Sequence, residues 1–460
     1  MSDKTKVTNS GEAPNTSKGA SPGKNPISRR NFLGAAAAAA GTVALAGAAG
    51  SRDYLSKLKT ISFRAQLAPV TLTLMSWEPY GEPYEYPEWI KVISQFEIAN
   101  PNVTVVWTGW PFSDFDQNIV EQAQAGKVDA DVIMVTPEAA STLVQKYHIG
   151  VPIGHIAKEL GLVPDAAHQS YVRNGNLYAL GVIDVAFALL YNQAVLNAHH
   201  LAPPTTPDEW LAAVTAISKP PNYFGTNLLN LASDGSDWWN ALQNFCLPYG
   251  GAWATGTTLT IDSPANIKGV QFWLDLVEAS GVKGESETVL TKLFDENRVC
   301  FSFNAAAGLT SLQKLAPAYY PHMRSVAPPW ASQHAIERLH PFIVNNQSKY
   351  VEEGMALVKY VLTPENLYGI TVANGYPVIP YSNFGEIIPA YAKYLDTIWL
   401  KGYEETKYVG EFQILGQFTY AYAELGNIIC QNLEKAVSGS STVTQALQAA
   451  QAQAKVELNL

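Results

Sequence analysis

Between residues 70 and 135 the apolar period switches repeatedly between two and 3.6, and few folds accept that pattern. Val70-Thr71-Leu72-Thr73-Leu74 alternates at period two, as a strand does. Trp89, Val92, Ile93 and Phe96 then form the i, i+3, i+4, i+7 stripe of an amphipathic helix. Asn100-Pro101-Asn102 breaks that helix, because proline removes a donor and restricts the residue before it. Val103 to Trp107 reads as a second strand. Phe115, Ile119, Val120 and Ala123 mark a second helix, ended near Gly126, and Asp131 to Val135 a third strand. Strands alternating with helices imply an α/β fold, with a mainly parallel sheet joined by right-handed crossovers. In such a fold ligands bind beyond the carboxyl ends of the strands.

The N-terminus speaks about location. Residues 1–27 are rich in Ser, Gly, Asn and Pro, a composition that cannot bury enough apolar surface to fold. Ser28-Arg29-Arg30-Asn31-Phe32-Leu33 resembles the twin-arginine export motif, with Gly34 where that motif often has Lys. The apolar stretch Ala35 to Ala49 falls short of the about 20 residues a membrane-spanning helix needs. Ala44, Ala46 and Ala48 offer small-residue cleavage positions. The expectation is a signal peptide over 1–50, read by the twin-arginine export machinery, and a tether over 51–68. An uncleaved N-terminal anchor is the alternative. Without the signal about 410 residues remain, enough for two or three domains.

The whole chain has a formal charge of −10, and the first 50 residues hold six basic side chains against two acidic ones. The exported part is therefore more acidic still, which disfavours nucleic acid and anionic membranes as partners. Cys246, Cys300 and Cys430 cannot all pair with one another, and no Cys-x-x-Cys occurs. Cys246 and Cys300 lie in apolar runs and read as buried thiols.

Gly175 to Leu180 and Phe187 to Asn192 read as two short buried strands. Thr206-Pro207-Asp208-Glu209 then starts a helix, with Thr206 as N-cap and Pro207 at the first helical position. Ser263-Pro264 starts another that Gly281 stops, and Thr363-Pro364-Glu365 a third. This order resembles the extracellular solute-binding proteins of family 1, the maltose-binding-protein-like and mostly sugar-binding receptors of ABC importers. The same likeness runs through the Asn-Pro-Asn-Val turn at 100–103, Tyr191-Asn192, the segment from Leu293 to Asn304, Val326-Ala327-Pro328-Pro329 and Gly375-Tyr376-Pro377. It covers nearly all of residues 70–435. Two departures stand out. Asn297 occupies a position where the family usually has Gly, and Ala306-Ala307-Gly308 replaces a segment that commonly carries Trp.

The resemblance implies a two-lobed fold, hinged where strands cross between the lobes. The first lobe would comprise 69–185 and 330–384, and the second 186–329 and 385–460. It also implies hinge closure on a captured carbohydrate, an oligosaccharide, and delivery to ABC transporter membrane permease subunits by a monomer. A sugar site wants flat aromatics with amides and carboxylates at the edges. On that logic, and at the loops the family uses, the ligand candidates are Trp77, Glu78, Tyr80, Trp110, Asp184, Trp238, Trp239, Asn304, Trp330 and Tyr376. Residues 238 and 239 point about 100° apart on a helix, so one of the two tryptophans is expected in the cleft and the other in the core.

The histidines are scattered without His-x-x-x-His spacing, so neither metal nor cofactor is expected. Gly-x-Ser-x-Gly and P-loop motifs are missing, which argues against an enzyme. The alternatives are a receptor of the same fold for a polyamine or peptide, and an exported carbohydrate-active enzyme.

Overall fold

The computed structural model describes residues 68–80, 86–305, 318–376, 378–397 and 399–460. The export motif, the apolar stretch, the tether up to 67 and the segment around Gly308 lie outside the described residues. Within them, no helix is long and apolar enough to cross a membrane.

The strands in chain order are β1 (Val70–Met75), β2 (Val103–Thr108), β3 (Val132–Met134), β4 (Val172–Arg173), β5 (Asn176–Leu177), β6 (Ala179–Asn192) and β7 (Phe224–Thr226). They continue with β8 (Ala254–Thr255), β9 (Thr258–Leu259), β10 (Val299–Ala305), β11 (Met323–Val326), β12 (His334–Val344) and β13 (Lys407–Gly410). Two hairpins, β4–β5 and β8–β9, stand apart. Among the described residues the other strands form one sheet, in the order β2-β1-β3-β12-β6-β10-β7, with β11 on β6 and β13 on β12. The pairs β1–β2, β1–β3, β7–β10 and β12–β13 are parallel. Every antiparallel pair of this sheet involves β6 or β12. The result is a mixed α/β fold whose sheet is parallel away from two long crossing strands.

The expected pair of short strands at 175–192 is instead the end of a hairpin followed by one 14-residue strand, β6. The residues between the two expected pieces are apolar except Asp184, and β12, β10 and β11 pair along the strand's length. A strand covered on both faces shows no alternation to read.

The crossing strands connect two cores. Ala179 to Ile183 of β6 and Leu339 to Val344 of β12 pack into a first core with Trp89, Phe96, Phe115 and Val358. Phe187, Leu189 and Tyr191 enter a second core with Trp210, Phe245 and Leu425. Ala188 and Leu190, on the opposite face, join a smaller cluster with Val299 and Tyr403. On β12, Ala335 and Ile336 belong to the second core. Between the cores β6 carries Asp184 and β12 carries Glu337 and Arg338, so the polar residues sit where the chain passes from one core to the other. Packing departs from two expected lobe limits. Trp330 packs in the second core, against Phe303, whereas Tyr391 packs in the first, against Phe384.

Local signals explain the helix ends. Thr206 Oγ1 accepts from Glu209 N at 3.2 Å to open the helix Pro207–Ile217. Ser263 Oγ accepts from Asn266 N at 3.2 Å to open Pro264–Ser280, and Gly281 closes it at φ 76°. Asn297 has φ 56°, so the family's usual glycine is replaced here by a residue that tolerates the left-handed region. All three cysteines are buried free thiols.

Candidate functional site: a cleft over the crossing strands

A cavity of about 220 Å³ lies over the crossing point. The helix Phe112–Gln124 contributes Phe112, and the crossing strands contribute Val185, Phe187, Arg338 and His340. The far side carries Asn227, Asn240, Glu287, Thr291 and the run Ser302 to Ala305 of β10. Both core regions thus supply walls, and the floor is built from the strands that join them.

Of the sequence candidates, Asn304 is exposed and lines this cavity. Its side-chain oxygen accepts from Ala305 N at 2.7 Å, and its carbonyl accepts from Tyr403 Oη at 2.8 Å. Trp77 does not line the cavity. It is 8% exposed and stands behind the wall, edge-on to Phe112 at 5.3 Å and to His340 at 5.0 Å. It therefore positions two lining residues. Glu78 is buried, and its backbone N donates to Ser76 Oγ. The Tyr80 side chain lies outside the described residues. Trp110 is half-buried against Phe115, and Tyr376 is half-buried against the first core, its carbonyl accepting from Tyr394 Oη.

Trp238 and Trp239 are both fully buried, which corrects the expectation that one faces the cleft. Their short helix, Gly235–Leu242, is covered on two sides. Trp238 stacks on Trp273 of Pro264–Ser280, and Trp239 presses on Gly426 of Tyr422–Val437, where a Cβ would meet it at 2.6 Å. Trp330 is likewise core, its indole donating to the His334 carbonyl.

Asp184 is fully buried below the cleft rather than in it. One of its carboxyl oxygens lies within 4.8 Å of one oxygen each of Asp165 and Glu337, which are as close to each other. His168 donates from Nδ1 to Asp165 at 3.0 Å while its Nε2 accepts from Gly181 N. Burial and then the Asp165 charge push the Asp184 carboxyl well above the usual range, and burial and then Asp184 do the same to Glu337. Asp184 and Glu337 stand close enough for a proton between them to relieve their mutual repulsion. Among the described residues this is the one group of three metal-ligating side chains. The affinity for protons makes a shared proton the chemistry these residues favour.

Beside it Arg338, 5% exposed in its side chain, pairs with Glu138 and lies 3.7 Å from Glu411. Thr136 donates to Asp116 nearby. Burial, then the charge of Glu138, pushes Asp116 up to about 7 and Glu411 well above its ordinary value. His340 behaves oppositely: burial, reinforced by the Arg338 charge, lowers its imidazole to about 3, so it is neutral at physiological pH.

Phe112, Phe187, Asn227, Asn240, Ser302, Arg338 and His340 escaped the sequence reading. One signal was present. The run His334 to Val344 places Glu337, Arg338 and His340 inside an otherwise apolar strand, where charges must find partners.

The fold has solved counterparts. A cyclic α-maltosyl-1,6-maltose binding protein from Arthrobacter globiformis superposes with a TM-score of 0.67 at 17% identity, covering 84% of this chain and 97% of that one. The GacH receptor of Streptomyces glaucescens, solved unliganded and with acarbose, gives 0.71 at 16% identity over 85% and 98%. An ABC transporter solute binding protein from Thermotoga lettingae, bound with α-D-tagatose, gives 0.68 at 18% over 84% and 98%. At such identities the likeness is one of fold. The family model of bacterial extracellular solute-binding proteins matches residues 91–384, more than half the chain and all of the crossing strands; this protein belongs to that family.

Proposed function

We propose that this solute-binding protein captures a carbohydrate between its two core regions, closes by bending at β6 and β12, and delivers the ligand to an ABC transporter permease. The observation that carries the reading is the make-up of the cleft. Phenylalanines 112, 187 and 303 offer flat apolar surface, and Asn227, Asn240, Thr291, Ser302 and Asn304 offer amide and hydroxyl groups around them. That mixture suits a ring with apolar faces and a polar rim. The sugars named for the solved counterparts agree with it. The lobes divide near 184–186 and 337–338, and the protein works as a monomer without catalysis. Export through the twin-arginine machinery is supported by Ser28 to Leu33.

Thermal unfolding in the presence of glucose, maltose, maltotriose, tagatose, putrescine and spermidine tests the reading. A ligand at 100 times its Kd stabilises the folded state by about 2.7 kcal/mol. At least one saccharide is expected to give a saturable shift and to be recovered chemically unchanged. Stabilisation by a polyamine alone, or steady cleavage of the saccharide, would overturn it.

A further inference from the structure

We propose that Gln243 and Tyr422 turn the Asn240 amide so that its nitrogen, not its oxygen, meets the ligand, and that this fixed donor selects a ligand oxygen over an ammonium at this point of the cleft. The inference rests on the carbohydrate reading and deepens it. Asn240 lines the cavity from the helix Gly235–Leu242 and is 9% exposed. Behind it lie Gln243 and Tyr422, 0% and 2% exposed. Gln243 Nε2 donates to Tyr422 Oη at 2.7 Å and to the Asn240 carbonyl at 3.4 Å. Tyr422 Oη donates to Asn240 Oδ1 at 2.7 Å.

The direction of this chain follows from the count of donors. Turning the Gln243 amide over would set its oxygen against the Asn240 carbonyl, acceptor against acceptor, so the nitrogen must point that way. The Tyr422 hydroxyl therefore accepts from Gln243 and keeps its one proton for Asn240. Burial raises the Tyr422 phenol well above its ordinary pKa, so that proton is not lost. With Oδ1 taken by Tyr422, Nδ2 is the end of the amide left for the cavity. It has no partner among the described residues and is not sealed from solvent. An amide nitrogen donates and does not accept. A hydroxyl or ether oxygen satisfies it, whereas an ammonium brings only further donors. A donor already turned toward the ligand needs no reordering on binding.

The test titrates the full chain with glucose, maltose, maltotriose and tagatose. It repeats the titrations in variants whose unfolding midpoint without ligand shows them folded. For each saccharide that the wild type binds, Asn240→Ala and Asn240→Asp are both expected to lose at least about tenfold in affinity. Asn240→Asp keeps the acceptor for Tyr422 and loses the donor toward the ligand. Tyr422→Phe, which frees the amide to turn, is expected to lose about fivefold in the wild-type chain and nothing further in Asn240→Ala. If Asn240→Asp binds as the wild type does while Asn240→Ala loses affinity, the amide presents its oxygen and the proposal is overturned. Unchanged affinity in both Asn240 variants overturns it too, as do equal losses from Tyr422→Phe in the two backgrounds. In each of these cases the carbohydrate reading stands. Absence of any saccharide binding overturns both.

Discussion

Replacing Arg338 by leucine is expected to lower the unfolding free energy by about 3–5 kcal/mol, the range for breaking a buried ion pair by removing one partner. The guanidinium is 5% exposed and stands between Glu138, 12% exposed, and Glu411, 2% exposed. Leucine fills part of the volume but leaves the Glu138 and Glu411 carboxyl groups without the cation between them. Asp116, already pushed up to about 7 with Glu138 contributing, would bind its proton more tightly still. Most of the cost is thus the penalty on the groups left behind. The triple variant Arg338→Leu/Glu138→Gln/Glu411→Gln is expected to recover more than half of the loss. Urea denaturation midpoints of the two variants decide it. A single-variant loss below about 1 kcal/mol, the scale of exposed pairs, would mean that solvent reaches the network.

The second large effect is on pH dependence. Asp184 and Glu337 hold a proton more tightly folded than unfolded, and Glu411 does likewise. Unfolding above the ordinary carboxylate range therefore releases protons. The stabilisation these groups contribute is fully present below the unfolded carboxylate values and is lost as pH rises through the raised folded values. Each linked proton changes the unfolding free energy by about 1.4 kcal/mol per pH unit. Asp184→Asn removes one such proton, and its amide can still donate to Glu337. Urea unfolding from pH 5 to 8 is expected to show a slope shallower by up to about 1.4 kcal/mol per unit in the variant. Parallel slopes for wild type and variant would show that no proton is shared. The location of the pair gives this a functional edge, since both carboxyls lie on the strands about which the lobes are proposed to bend.

The opening strands and helices were legible because each faces one core and shows its period. The helix starts at Thr206 and Ser263 were legible because capping is local chemistry. β6 was misjudged in length because a strand covered on both faces carries no alternation. The site was harder. Aromatic residues after strand ends were reasonable candidates, yet Trp77, Trp238, Trp239 and Trp330 are all buried. Large aromatics stabilise a core as readily as they bind a sugar, and local sequence does not separate the two. Asn304, a candidate because its segment resembles a contact region of the family, lines the cavity. His340 and Arg338 were overlooked because what makes them a site is the cavity assembled from distant segments. Only their burial in an apolar run hinted at it.

Small-angle X-ray scattering of the protein, with and without a saturating saccharide identified by thermal shift, tests the central claim most directly. Hinge bending about β6 and β12 should reduce the radius of gyration and fill in the scattering from the open cleft. A smaller radius with ligand, reversed on its removal, is the result expected of a capturing receptor. Superimposable profiles at full saturation would contradict closure on a captured ligand.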